Sequence, residues 1–189
     1  MAKQLEVTDH SRDSAGMTYV YPVVSRRAGG VSIGINLNPN NACNWRCIYC
    51  QVPDLKRGSA PPIDMAQIER ELRGFVETLL HGDFMRLHVP EGARQIVDVA
   101  FSGNGEPTSA REFPQAIELV GRVLRETGLD RTVKIRLITN GSLLGRRQVQ
   151  EGLHRLGEWG GAEWLKADTG TTEGYRRINN VALSPESVV

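Results

Sequence analysis

Cys43, Cys47 and Cys50 are the only cysteines in this 189-residue chain, and they lie in one short stretch. An odd number of thiols so close together cannot pair evenly as disulfides. Thiolate sulfur is a soft ligand that selects iron–sulfur clusters, zinc or copper(I). Such centres commonly take four ligands, so three cysteines leave one coordination position for something the protein does not supply. An open position is where a metal centre does chemistry, which makes this stretch the first candidate site.

A structural zinc site completed by a histidine is the alternative interpretation of the same cysteines. The chain has four histidines, but none lies at the short offset from the cysteines that a zinc knuckle uses: His10, His81, His88 and His154. The spacing therefore favours an iron–sulfur cluster over zinc. A simple electron-transfer protein, whose cluster has four protein ligands, would need a fourth cysteine.

Strands and helices that alternate along the chain must position this stretch. Period-two patterns predict strands at Val31–Leu37, Ile96–Phe101, Val133–Ile138 and Ala162–Ala167, and helical spacing predicts helices at 64–81, 109–126, 146–156 and 172–178. An edge strand is expected within residues 17–24, where Pro22 suits an edge, and residues 84–94 are expected to be irregular. Four alternations predict right-handed crossovers and a parallel sheet in an α/β fold.

Each predicted strand of that sheet is followed directly by small or polar residues. These segments are the cysteine stretch, Gly103–Glu106, Thr139–Gly141 and Lys166–Gly170. Ligands of parallel sheets bind at the carboxyl ends of the strands, in open sheets and barrels alike. We therefore expect the cysteines and the other three segments to share one site.

The spacing of the cysteines, with Tyr49 just before Cys50, resembles that of the radical S-adenosylmethionine enzymes. The resemblance implies that Cys43, Cys47 and Cys50 hold three irons of a 4Fe–4S cluster, while S-adenosylmethionine chelates the fourth. One electron from the reduced cluster then cleaves the cofactor into methionine and a 5′-deoxyadenosyl radical, which abstracts hydrogen from a substrate. No catalytic residue is assigned beyond the cluster. Flavodoxin or ferredoxin is the implied electron donor.

The Ser102–Pro107 segment resembles the glycine–glycine–glutamate motif with which that family binds the amino group of S-adenosylmethionine. Gly103, Gly105 and Glu106 match the pattern, and Asn104 interrupts it. Glycines let a backbone approach a ligand closely, and a carboxylate accepts hydrogen bonds from an ammonium group. A turn that leads into a helix would also use glycines, so the segment alone leaves both interpretations open.

The resemblance also implies cofactor roles for four residues near the other predicted strand ends. Asn140 belongs to a recurring strand-end element, although Asn-Gly is also a common turn. Asp168 would accept from ribose hydroxyls and Lys166 would neutralise the cofactor carboxylate, whereas a surface ion pair is their structural alternative. Tyr49 would lie against the adenine.

One branch of the family includes the wyosine-type tRNA-base-forming enzymes. The sequence resembles that branch in Arg176–Asn179 and in the strand-end motifs. Two arginines on a helix are more often a solvated face, and the chain lacks a basic surface interleaved with aromatic residues. tRNA is therefore a weakly supported partner. Activators of glycyl-radical enzymes, which act on a protein backbone, remain an alternative within the enzyme class.

Bulk composition fits an ordinary globular domain: 40% of residues are hydrophobic, 24% are charged, and the formal net charge is +1. No signal peptide or membrane span is predicted, and the commitment of all three thiols to one loop favours a reducing cytoplasm. We expect an N-terminal lead-in over residues 1–30 and a radical S-adenosylmethionine core over residues 31–189. The family's core is usually a partial, TIM-barrel-like (β/α) barrel of six units; four are recognisable here, so the core is expected to be C-terminally truncated or completed by another chain.

Overall fold

A mostly parallel five-stranded sheet organises this computed structural model, which describes residue 5, residues 16–25 and residues 29–188. The strands are β1 (Val20–Ser25), β2 (Gly30–Asn36), β3 (Ala42–Cys43), β4 (Lys56–Arg57), β5 (Ile96–Ser102), β6 (Lys134–Thr139) and β7 (Ala162–Leu165). The main sheet has the order β1-β2-β5-β6-β7, and only β1 is antiparallel to its neighbour. The α/β fold and the edge strand predicted within residues 17–24 are confirmed. Most of the predicted lead-in, including residues 1–4 and 6–15, lies outside the described residues.

In the part of the chain that the structure describes, five α-helices connect or follow these strands. They are α1 (Met65–His81), α2 (Phe84–His88), α3 (Phe113–Glu126), α4 (Arg147–Glu158) and α5 (Thr172–Asn179). The N-cap of α1 is Asp64, whose side chain accepts from the backbone N–H of Gln67 at 2.9 Å. The predicted helices α1, α3 and α4 connect β2 to β5, β5 to β6 and β6 to β7. Their apolar residues lie on one side of each helix, which packs on the sheet.

Helices α1 to α4 cover one face of the sheet, where the hydrophobic core lies, whereas Tyr175 of α5 packs in a separate cluster with Trp45. Alternate residues of the central strands, such as Ile33, Val99 and Leu137, are fully buried in this core together with Ile68 of α1 and Ile117 of α3. Because side chains alternate between the faces of a strand, Ser32, Gly34, Asp98 and Ala100 occupy the opposite face. Because β2, β5, β6 and β7 run parallel, their carboxyl ends lie at the same edge of the sheet.

Two predictions about connecting segments are wrong. Residues 84–94 are not irregular: they form α2 and a turn of 3-10 helix at Glu91–Ala93, and the Phe84 ring packs edge-on against Phe75 with centroids 5.2 Å apart. The second helix does not begin at Ser109, because Pro107–Ser109 forms a 3-10 turn and α3 begins only at Phe113. Both segments contact other elements, Phe84 through Phe75 and Ser109 through Asn38 and Ala60. The spacing of apolar residues within a segment gives no information about such contacts.

Two ends also differ slightly from prediction. The last strand stops at Leu165 rather than continuing to Ala167, and the expected helix start after Ser184 is a single 3-10 turn, Pro185–Ser187. Among the described residues, no helix is both long enough and apolar enough to cross a membrane.

Candidate functional site

The cysteine loop follows β2 and is closed by a second, two-stranded sheet. In that sheet β3, which contains Cys43, runs parallel to β4, and the Gly58 N–H donates to the Cys43 carbonyl at 3.0 Å. Cys43 and Cys47 are partly buried, whereas Cys50 is exposed. This small sheet fixes one end of the loop, so the first thiol has a defined backbone position.

Two buried asparagines join the cysteine loop to the Gly103–Glu106 segment. The Asn38 side-chain amide donates to the Ala42 carbonyl at 2.9 Å and to Ser109 Oγ at 3.2 Å. The Asn36 side-chain oxygen accepts from the backbone N–H groups of Asn38 and Asn104, each at 3.0 Å. Both asparagines are buried, and hydrogen bonds are stronger in the protein interior than in water. These bonds therefore hold the two segments together at the carboxyl edge of the sheet.

The glycines of Gly103–Glu106 are required by close packing. Gly103 has a φ of 128°, which residues with a side chain rarely adopt. A Cβ atom on Gly105 would overlap the Ala42 carbonyl oxygen and the Asn38 amide. The structure therefore explains Gly103 by its backbone conformation and Gly105 by the approach of this segment to the cysteine loop, with Asn104 between them.

Glu106 is the most fully hydrogen-bonded side chain of the site, and it is only 3% exposed. Its Oε1 accepts from the Thr108 backbone N–H at 3.2 Å, the Thr108 hydroxyl at 2.6 Å and the Thr139 hydroxyl at 2.7 Å. Its Oε2 accepts from the Asn140 N–H at 2.8 Å. Because a carboxylate oxygen offers about two lone-pair sites, Oε2 keeps one acceptor position.

Asn140 connects the end of β6 to the cysteine loop. Its side-chain amide donates to Asn44 Oδ1 at 2.9 Å, and Asn44 in turn donates to Ser142 Oγ at 2.8 Å. The Ser142 hydroxyl returns a bond to Asn140 Oδ1 at 2.7 Å. Asn44, which lies next to Cys43, was not among the predicted site residues; its only sequence signal is its place inside the cysteine stretch.

Tyr49, Lys166 and Asp168 form a half-exposed group beside the loop. The Tyr49 hydroxyl donates to Asp168 Oδ2 at 2.5 Å, and the Lys166 ammonium lies 5.9 Å from the centre of the Tyr49 ring. Burial, followed by the bond to Asp168, raises the pKa of Tyr49. Asp168 is therefore hydrogen-bonded to a protein group. Lys166 and Tyr49 line a cavity beside the cysteines, described below, but Asp168 does not.

Asn179, the last residue of α5, reaches the second cysteine. Its side-chain amide donates to Cys47 Sγ at 3.2 Å and to Asp168 Oδ2 at 2.6 Å. The neighbouring Arg176 and Arg177 are exposed, and Arg176 lies 3.9 Å from Glu173. Sequence reasoning included Asn179 only in a segment discussed for RNA contact, because nothing in its spacing points towards a thiol.

A cavity of about 200 Å³ brings most of the predicted site residues together. Its lining includes all three cysteines and, from the other segments, Tyr49, Gly103, Asn104, Gly105, Glu106, Asn140 and Lys166. Burial is the main cause that raises the pKa of the Cys43 thiol, and the nearby Glu106 carboxylate acts in the same direction. The cavity thus joins soft sulfur donors to a buried carboxylate, a lysine and close-packed glycines.

The chemistry of this lining fits a thiolate-bound centre with an organic ligand beside it. No group of three or more His, Cys, Asp or Glu side chains that could hold a metal ion is found in the part of the chain that the structure describes. All three cysteines nevertheless line one cavity. The cavity volume of about 200 Å³ is below the roughly 300–1,000 Å³ of typical ligand sites, and Cys50 at its edge is exposed.

Comparison with known proteins gives relatives but no family assignment. No family model matches the chain. It is 34% identical over 134 residues to a UPF0026 protein of Helicobacter pylori strain 26695, an alignment that covers 70% of this chain and 37% of that protein. It is 28% identical over 138 residues to a UPF0026 protein of Synechocystis, covering 71% and 43%.

A further relative is named GTPase Obg, from Brachyspira hyodysenteriae. The identity is 26% over 132 residues, which cover 70% of this chain and 17% of that protein. The chain thus spans less than half the length of each of these curated relatives.

Proposed function

We propose that this chain forms the cofactor-binding part of a radical S-adenosylmethionine enzyme. The observation that carries the proposal is the shared cavity, in which three cysteines of one loop face Glu106, Asn140 and Lys166 from three other strand ends. When bound, a 4Fe–4S cluster would supply the electron that cleaves S-adenosylmethionine and so starts hydrogen abstraction from a substrate. Cys43, Cys47 and Cys50 would be its ligands.

The residues around the thiols have distinct roles in this proposal. Glu106, held by four hydrogen bonds, offers the remaining acceptor position of Oε2 to the ammonium group of the cofactor. Lys166 would neutralise its carboxylate, and the Tyr49 ring would pack against its adenine. Asp168 would reach the ribose only after exchanging one of its present bonds to Tyr49 or Asn179.

The sheet is consistent with part of a (β/α) barrel. Its parallel strands follow the chain order β2-β5-β6-β7 without reversal, and the core helices pack on one face. A doubly wound sheet would instead reverse its strand order and carry helices on both faces. In a barrel, the opposite face with Ser32 and Asp98 would line the interior, close to the site at the carboxyl ends of the strands.

The electron for the cluster would come from a flavodoxin or ferredoxin in the cytoplasm. The loop presents the side chain of Ile48, which is 77% exposed, between the second and third cysteines. A tRNA base and the backbone of a glycyl-radical protein are the two substrate classes considered for the radical.

The other interpretations have less support from the residues. None of the histidines that the structure describes lines the cavity, so among these residues a zinc-stabilised module lacks the histidine ligand expected for it. The sequence has no Gly-x-x-x-x-Gly-Lys-Ser/Thr segment, the phosphate-binding loop expected of a GTPase. The site therefore favours thiolate chemistry.

Anaerobic reconstitution with iron and sulfide tests the proposal directly. The wild-type chain is expected to become brown, to hold about four irons per chain, and to release 5′-deoxyadenosine from S-adenosylmethionine when it is reduced with dithionite. A variant in which all three cysteines are replaced by serine is expected to remain colourless, with iron at background.

Ser59→Ala provides the matched control, since Ser59 lies in the segment after the cysteine loop but does not line the cavity. It should take up iron as the wild type does. A colourless wild-type protein that holds one zinc would overturn the proposal, and so would a cluster retained by the triple serine variant.

A further inference from the structure

The contact between Asn179 and Cys47 is the feature of the site that the proposed function leaves unused. The side chain of Asn179 is completely buried, and its amide nitrogen donates to two different acceptors, Cys47 Sγ at 3.2 Å and Asp168 Oδ2 at 2.6 Å. A side-chain amide has two N–H donors, so both are engaged. A buried donor aimed at a candidate cluster ligand is expected to affect that ligand.

The orientation of this amide follows from its surroundings. Exchanging its oxygen and nitrogen would place the oxygen against the Asp168 carboxylate and the Cys47 sulfur, two groups that accept hydrogen bonds. In the observed orientation the Asn179 Oδ1 atom is buried and has no partner. An unpartnered buried acceptor costs about 1–3 kcal/mol. The arrangement therefore keeps a donor on the sulfur and the carboxylate while leaving its own acceptor unsatisfied.

The backbone holds Asn179 in place independently of its side chain. The Asn179 carbonyl accepts from the Arg46 N–H at 3.0 Å, and the preceding carbonyl, that of Ile178, accepts from the Ile48 N–H at 2.8 Å. These two bonds flank Cys47. Because they belong to peptide groups, a substitution of the Asn179 side chain leaves both of them possible, and the loop keeps its attachment to α5.

We propose that Asn179 is a positioning residue whose amide hydrogen bond to Cys47 raises the reduction potential of the cluster. This inference rests on the proposed function. A donor on a ligand sulfur stabilises the reduced, more electron-rich cluster more than the oxidised one, and hydrogen bonds to the sulfurs are among the factors that set cluster potentials. Asn179 thereby makes the cluster easier to reduce.

The reduction potential of the reconstituted cluster, measured by EPR-monitored redox titration, tests this role. Asn179→Leu keeps approximately the volume of the side chain but has no donor, and Asn179→Ala removes the donor without any risk of a steric clash. Both variants are expected to bind iron and to have a more negative potential than the wild type. The adjacent Asn180→Gly is the matched control, because Asn180 has a φ of 55°, which glycine tolerates, and it contacts Arg57 only through its backbone carbonyl.

The outcomes separate this inference from the proposed function. A wild-type protein that takes up no cluster would contradict the proposed function itself. If the wild type carries a cluster and either Asn179 variant carries one at the potential of the wild type and of Asn180→Gly, the inference is overturned. A purely structural role for Asn179 would lower thermal stability and iron content, but it would leave the potential of the bound cluster unchanged.

Discussion

The helix-covered face of the sheet and its carboxyl edge are held together by different kinds of interaction. On the covered face, apolar side chains such as Ile33 and Ile117 are buried in one continuous core. At the carboxyl edge, buried polar side chains make specific hydrogen bonds, as Glu106 does with Thr108 and Asn140. Apolar packing tolerates small changes of direction, whereas buried polar contacts do not. The edge is therefore the region where a single atom change should cost most.

Replacing one oxygen of Glu106 should have the largest effect. Glu106→Gln would place an amide nitrogen against a group that is itself a donor, either the Asn140 N–H or the donors on Oε1. A buried unsatisfied donor costs about 1–3 kcal/mol, and more where a charged partner is lost. We expect the free energy of unfolding, from urea titration, to fall by about 3 kcal/mol.

The matched control for Glu106→Gln is Glu112→Gln, since the buried Oε2 of Glu112 has no hydrogen-bond partner. It should cost less than 1 kcal/mol, in line with most substitutions that break no network. An equal loss for both variants would show that the polar edge is no more sensitive than its surroundings.

A change in the apolar packing should have an intermediate effect. A Cβ atom at Gly121 on α3 would overlap the ring of Trp159, which is fixed by a 3.0 Å bond to Glu118 and by Arg125 lying 4.2 Å from its centre. Gly121→Ala should therefore lower the free energy of unfolding by about 1–2 kcal/mol, despite the better helix propensity of alanine.

Gly74→Ala on α1 is the control for that variant, because no atom lies within 4 Å of the added Cβ. It should stabilise the chain by about 0.5–1 kcal/mol, the difference in helix propensity. If both variants stabilise the protein, the contact between Gly121 and Trp159 is looser than the structure indicates.

The smallest effect concerns a charge on the opposite face of the sheet. Burial raises the pKa of Asp98 above its usual value, although the hydrogen bond from Ser32 and the charge of Arg136 act in the other direction. A carboxyl group whose pKa is raised by folding opposes folding once the pH is high enough to ionise it in the native state. Asp98→Asn keeps the acceptor for Ser32 and removes this penalty.

We therefore expect Asp98→Asn to be slightly more stable than the wild type at pH 7, with the advantage decreasing as the pH falls to about 3. Urea titrations of both proteins across that range would measure it. A wild type that gains stability relative to the variant as the pH rises would contradict the sign of the shift.

The sequence predicts the sheet and its helices well because their patterns are periodic. Each of β2, β5, β6, α1 and α3 buries one face in the core. Its apolar residues therefore recur at the period of a strand or a helix, which can be read from the segment alone. The short helix α2 was missed because it depends on the contact between Phe84 and Phe75. The apolar spacing of neither segment shows that the two segments are in contact.

The candidate site could be predicted in its residue types but not in its connections. The cysteines are indicated by their number and ligand chemistry, Glu106 and Asn140 by the resemblance, and their position after strand ends predicts that they share one site. Asn44 and Asn179 were not predicted, because a buried asparagine has no periodic signature and its partner lies far away in sequence. The engagement of Asp168 by Tyr49 and Asn179 likewise depends on three segments meeting in space.

The two peptide hydrogen bonds from the cysteine loop to the end of α5 have a consequence for sequence change. Arg46 and Ile48 are anchored through their N–H groups to carbonyls at positions 179 and 178, so their side chains are not needed to hold the loop. Both side chains lie outward. Substitutions at these two positions can therefore alter the exposed surface beside the cysteines while the thiol between them keeps its place.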